Sequence, residues 1–118
     1  MVCLKKQGTA YVAHLGDAKD LIFTAGHNLW DNEGISRQIT FFPGMPNKSA
    51  NPEEYYGKFE AKMAKWSDKW NPALSNEEIG QYDFGIVQLK LNSKKKAVGD
   101  IVRPVPILYS LLVPSWWL

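Results

Sequence analysis

Apolar positions come in short bursts along this chain, and glycine and proline recur at close intervals between them. No stretch sustains an apolar stripe at the helical period, which argues against an all-α fold. Where apolar and polar positions alternate, they do so by two, the pattern of a strand with one wet face. Residues 84–91 show it best: Phe84, Ile86, Gln88 and Lys90 fall on one side, and Gly85, Val87, Leu89 and Leu91 on the other. Residues 9–14 are rich in strand formers, and Gly16 and Asp17 can turn the chain. Residues 21–24 form the next strand, so the two are expected to make a hairpin with a loop of several residues. A third strand at residues 39–42 is stopped by Pro43 and Gly44, and residues 47–53 read as a polar loop.

Residues 57–66 carry two signals. Ala61, Lys62, Met63, Ala64 and Lys65 are good helix formers. Phe59, Ala61 and Met63 nevertheless alternate with Lys58, Glu60 and Lys62, and the segment is read as a strand. Residues 71–80 read as loop with a single helical turn at 76–79. Lys94, Lys95 and Lys96 form a charged loop, and residues 101–108 are extended because Pro104 and Pro106 forbid helix. About six short strands with turn signals between them predict a small antiparallel barrel.

A length of 118 residues fits one domain with one core. A hydrophobic content of 45% with 22% charged residues excludes wholesale disorder. The net charge of +2 is too weak to argue for nucleic acid as a partner. The single cysteine, Cys3, rules out an internal disulfide and a metal site of several thiolates. The most apolar stretch, residues 107–118, is too short to span a membrane and is broken by Pro114. The first residues turn polar at Lys5 and Lys6, without the apolar core of an export signal.

Two segments carry candidate chemistry. His27 lies in Thr24-Ala25-Gly26-His27-Asn28, directly after a strand. Asp83 lies in Tyr82-Asp83-Phe84-Gly85, at the mouth of the clearest strand. An imidazole can accept a proton near neutral pH, and a carboxylate on its other nitrogen fixes the tautomer and stabilises the imidazolium. Tyr82 and Phe84 are expected to screen Asp83 partly from water. By itself each segment is equally an ordinary loop histidine and a turn aspartate. His14 reads as an ordinary strand histidine, and His14 with His27 lacks a third ligand for zinc. Trp66 and Trp70 read as packing residues before they read as a ligand groove.

Thr24-Ala25-Gly26-His27 resembles the Thr-Ala-Ala/Gly-His segment of chymotrypsin-like serine peptidases. Tyr82-Asp83-Phe84-Gly85-Ile86-Val87 is similar to their aspartate segment, and Gly8-Thr9-Ala10-Tyr11-Val12 to the strand that precedes the histidine. Ile39-Thr40-Phe41-Phe42-Pro43-Gly44 and Tyr56-Gly57-Lys58-Phe59 resemble segments of the glutamyl-endopeptidase branch, and residues 66–81 stand where that branch has an aromatic residue and a polar loop. The resemblance runs from Gly8 to Leu91. It implies an all-β fold, an antiparallel Greek-key barrel of the chymotrypsin type, the first barrel of two. It implies a serine endopeptidase with His27 as general base and Asp83 as the acid that orients it, acting on a peptide or protein substrate without a cofactor. Such proteins are usually secreted.

Two departures qualify the resemblance. Asn28 stands where the trypsin-like branch has a disulfide-bonded cysteine, which favours the glutamyl-endopeptidase branch. The family's nucleophile, a serine in a Gly-x-Ser-Gly segment of the second barrel, has no counterpart: Ser93, Ser110 and Ser115 all lack the flanking glycines. The expectation is therefore an N-terminal barrel at residues 1–108 and an apolar tail at 109–118 that is a truncated or non-native end, inactive alone and needing a second barrel to pack on it. The competing reading is a non-catalytic β-barrel that binds a protein or peptide.

Overall fold

The computed structural model describes residues 7–44, 56–103 and 105–106. Strand β1 (Ala10–Leu15) returns as β2 (Ala18–Thr24) through Gly16 and Asp17 alone. The loop is thus two residues and not several. Gly16 makes this possible with φ +60°, a left-handed value that a side chain disfavours. A bulge between Ala13 and Leu15 shifts the register and leaves His14 exposed.

A 3-10 turn (Gly26–Asn28) follows β2, and then a small ribbon of β3 (Trp30–Asp31) and β4 (Gly34–Ile35) that the sequence pattern did not announce. The third expected strand contracts to β5 (Thr40–Phe41), although the Ile39 carbonyl still accepts from the Ala61 N–H at 2.9 Å. Next comes β6 (Phe59–Trp66), so pairing overrides the helix-forming composition of this segment. A second bulge, between Ala61 and Met63, explains the mixed signal. It turns Met63 out to solvent, 43% exposed, and brings Ala64 and Trp66 in against the core that Ala61 already touches.

Helix α1 (Asn76–Tyr82) is longer than the single turn expected. The Ser75 hydroxyl accepts from the Glu78 N–H at 3.3 Å and donates to the Glu78 carboxylate at 3.0 Å. This Ser-x-x-Glu pairing is a helix-start signal present in the sequence. Strand β7 (Gly85–Leu89) follows. Helix α2 (Val98–Ile101) then takes the first residue of the expected extended run, and β8 (Val105–Pro106) lies within that run, whose residues 107–108 are outside the described residues. Pro104, at the next position past Arg103, is outside the described residues, as are Cys3, the 47–53 loop and the 109–118 tail.

The sheet order is β5-β6-β7-β2-β1-β8, antiparallel except for the short parallel β1–β8 contact. The sheet curls around Val12, Ile22, Leu29, Phe59, Val87, Leu89 and Val98. Phe59 is wholly buried; truncating such a ring typically costs about 3–5 kcal/mol. A second cluster, Ala13, Leu21 and Ile86 with Leu15, Ala18 and Phe23, covers the outer face. The face of β7 that carries Ile86 is thus buried there too, and the expected wet side is confined to its ends. Among the described residues β5 and β1 do not pair, and a cavity of about 1150 Å³ opens between them onto Ile22 and Val87. Among the described residues no helix is long and apolar enough to cross a membrane.

Two glycines should respond oppositely to alanine. A Cβ on Gly85 would press into Leu29 and lie 2.8 Å from the Lys65 carbonyl oxygen, whereas one on Gly80 in α1 meets nothing within 4 Å. Gly85→Ala should destabilise by about 1–3 kcal/mol, and Gly80→Ala should stabilise by about 0.5–1 kcal/mol, both read from urea unfolding. Equal effects would contradict this packing. Asp100 has its pKa lowered by a hydrogen bond from Lys19 and the Ala97 N–H, with an Nζ–Oδ1 distance of 3.3 Å. A lowered folded-state pKa stabilises above the unfolded value and is lost as pH falls through the folded one. Asp100→Asn should therefore flatten the acid side of the stability profile, below about pH 4, and leave its neutral-to-alkaline shape unchanged.

Candidate active site

Thr24 at the end of β2 pairs with Gly85 at the start of β7. The chain leaving β2 and the chain entering β7 are therefore neighbours at one end of the sheet. On the first side, Ala25 is extended and the next residues tighten into a 3-10 turn, closed by Asn28 N–H to Ala25 O at 3.1 Å and Leu29 N–H to Gly26 O at 2.9 Å. Leu29, 2% exposed, anchors this turn in the core. On the second side, Asp83 caps α1 with φ −81° and ψ 65°. The Phe84 N–H donates across it to Tyr82 O at 2.9 Å, an inverse γ-turn that swings the chain from helix to strand.

These two turns bring His27 and Asp83 together. The imidazole Nδ1 lies 2.6 Å from Asp83 Oδ2, and the His27 backbone N–H donates to Asp83 Oδ1 at 2.7 Å. Both carboxylate oxygens are thus committed to one residue, at distances typical of charge-assisted bonds. A carboxylate is an acceptor, so Nδ1 carries the proton and Nε2 is the free base. The Asp83 side chain is 15% exposed and that of His27 58%. Such exposure weakens the electrostatic attraction between the two, so the consequence of the contact is chiefly orientation. With Nδ1 held, the open part of the ring is its Nε2 side.

Of the two neighbours expected to screen Asp83, Phe84 is itself 37% exposed and Tyr82 is half-buried. Gly26 and the buried Trp70 lie beside the carboxylate: a Cβ on Gly26 would lie 3.1 Å from the Trp70 ring and 3.2 Å from Asp83 Oδ1. Asn28 ties the histidine turn to β2. Its amide donates to Thr24 Oγ1 at 2.9 Å, and that hydroxyl donates to Thr9 O at 2.8 Å. Gly8 gives the Asn28 amide room, because a Cβ there would lie 2.6 Å from it. Ser36 Oγ donates to Asn28 O at 2.9 Å. Hydrogen bonds therefore restrain this turn. The role of Trp70 depends on a contact across 40 residues, and no local pattern announced it.

The other candidates lie elsewhere. His14 is exposed, four residues or about 13 Å along β1 from the Ala10–Thr24 pair. Ser93 follows the far end of β7 and lines a small cavity with Tyr56, Lys58 and Ile101. Ser67 accepts from the Lys69 N–H and Ser75 caps α1. Ser110 and Ser115 are outside the described residues. Trp66 packs on the core and on Trp30, with ring centroids 5.7 Å apart. Among the described residues no group of three or more His, Cys, Asp or Glu could hold a metal.

No family model and no curated protein matches this chain. Among solved structures it is similar to the protease Anisep from Arthrobacter nicotinovorans, with a TM-score of 0.64 and 22% identity over 86% of this chain. The fold is a protease-like one. It is the all-β barrel of the chymotrypsin type that the motifs implied. The match spans 42% of that protease's chain.

Replacing Asp83 by Asn should invert the imidazole tautomer. The His27 backbone N–H requires an acceptor, so the new side chain must keep its oxygen there and turn its NH₂ toward Nδ1. Nδ1 then accepts, and Nε2 takes the proton. Imidazole ¹⁵N shifts at a pH where the ring is neutral should report the switch; an Nδ1–H tautomer retained in the variant would contradict the geometry.

Proposed function

We propose that this chain is the N-terminal barrel of a chymotrypsin-like serine endopeptidase of the glutamyl-endopeptidase branch, with His27 as general base and Asp83 as the acid that orients it. The observation that carries the reading is the double contact of Asp83 with His27, at 2.6 and 2.7 Å, on an exposed rim of a protease-like barrel. In this reading Nε2 of His27 takes the proton of a serine hydroxyl as its oxygen attacks the peptide carbonyl. The same nitrogen then gives the proton to the departing amine. Asp83 stays ionised throughout and stabilises the imidazolium between the two transfers. The serine, the oxyanion-hole donors and the pocket for the substrate's side chain belong to a second barrel that packs on this one. That the match spans less than half of the neighbouring protease supports this division. Preference for glutamate follows only from the branch.

The reading makes residues 1–118 inactive by themselves, because the hydroxyl nucleophile and oxyanion hole supply most of the rate enhancement. The purified chain should neither react with a fluorophosphonate probe nor cleave a mixed peptide library. Labelling of Ser110 or Ser115, or turnover abolished by His27→Ala, would place the nucleophile within this chain and overturn the division. Sequence downstream of the Leu118 codon should encode a Gly-x-Ser-Gly segment. A protein that includes it should cleave peptides and lose about 10⁴-fold in kcat on Asp83→Asn. Absence of that segment favours the non-catalytic binding barrel.

A further inference from the structure

His27 and Asp83 lie beyond the last pair of the β2–β7 ladder, so the strands do not hold them directly. A third segment does reach both. The Ser67 N–H donates to Phe84 O at 3.1 Å, which fixes the chain after β6 to the residue next to Asp83. Three residues on, the Trp70 N–H closes a turn onto Ser67 O at 2.9 Å. From there the indole crosses to the histidine side. Its Nε1–H donates to Trp30 O at 2.9 Å, three positions after His27, and its ring lies against Gly26, one position before it. Gly26 in turn borders Asp83 Oδ1. The indole is 5% exposed, and its donor is satisfied.

We propose that Trp70 is a positioning residue for the pair, a strut that sets the spacing between the histidine turn and the aspartate turn and so keeps the proton on Nδ1. This rests on the general-base role given to His27 above. The physical reason is that a bond between short side chains tolerates little change in spacing. The two turns meet Asp83 through bonds of 2.6 and 2.7 Å, and moving one turn by a few tenths of an ångström would weaken both. A rigid bicyclic ring anchored at both ends resists that movement better than a flexible side chain, with only two torsions to hold. Gly26 has the complementary role: lacking a Cβ, it leaves free the space that ring and carboxylate both border.

The test is spectroscopic and independent of peptidase activity. Trp70→Phe keeps an aromatic ring against Gly26 and removes the Nε1–H donor. In the full chain it should leave the folded amide spectrum in place. The His27 Nδ1 proton should exchange with water about two- to tenfold faster, the factor that one hydrogen bond of ordinary net strength supplies, and the neutral ring should gain Nε2–H tautomer. Trp66→Phe, which alters a ring tilted against Trp30 but leaves the Trp70 Nε1–H donor in place, should do neither. Should Trp70→Phe fail to fold, the unmodified chain decides: on warming, the Trp70 Nε1–H and the His27 Nδ1–H should open together. Unchanged exchange and tautomer in Trp70→Phe, or independent opening of the two protons, would overturn the strut while leaving the peptidase reading intact. A protein that includes the Gly-x-Ser-Gly segment and never cleaves a peptide, yet shows the Trp70 effect, would overturn that reading and leave the strut standing.

Discussion

Leu21, Ile22, Phe23 and Thr24 of β2 pair with Gln88, Val87, Ile86 and Gly85 of β7, and the rest of the molecule is arranged around this antiparallel ladder. Its side chains alternate between two hydrophobic clusters. Ile22 and Val87 face the interior of the curled sheet, while Leu21 and Ile86 face outward into a second cluster. Burial on both faces leaves the register no freedom, since a slip of one residue would exchange the two sets. The register in turn decides which residues leave the ladder together at its Thr24–Gly85 end. The His27 turn and the Asp83 turn are neighbours because of that choice.

Close packing at this end explains residues that look featureless one at a time. Gly85 admits Leu29 and the β6 backbone, Gly26 admits Trp70 and Asp83, and Gly8 admits the Asn28 amide. Each glycine lets a neighbour from a distant part of the chain come close. The hydrogen bonds follow the same logic: Asn28 to Thr24, Thr24 to Thr9, Ser36 to Asn28 and Trp70 to Trp30 tie separate stretches of the chain to the histidine turn and its flanks. The proton transfer proposed for the His27 ring needs a fixed tautomer and an accessible Nε2. Both follow when the acid is held behind the ring and the ring itself stays half in solvent.

Away from the site, two bulges reconcile a linear pattern with a curved sheet. Strand β1 bulges after Ala13, which puts His14 outside and ends any case for it as a partner of His27. Strand β6 bulges after Ala61, which trades Met63 for Ala64 on the inner side and lets the strand bend with the sheet. The opening between β1 and β5 shows how far the curl proceeds among the described residues.

Local chemistry made most of the strands legible. Gly16 and Asp17 demanded a turn, alternation marked β7, and the Thr-Ala-Gly-His and Tyr-Asp-Phe-Gly segments pointed to His27 and Asp83 before any contact was visible. These are properties of neighbours along the chain, and neighbours along the chain are what a sequence displays. The capping pair Ser75 and Glu78 was equally local, and it marked α1 more fully than a reading of residues 71–80 as loop allowed. Tertiary structure alone decided the rest. The bulge in β6 depends on pairing with β7, and the surroundings of Asp83 include Trp70 and Gly26, 13 and 57 positions before it in the chain. The spacing of the histidine and aspartate turns depends on a bond from Trp70 to Trp30 across 40 residues. Contacts of that kind are set by how the sheet curls, and no run of adjacent residues records the curl.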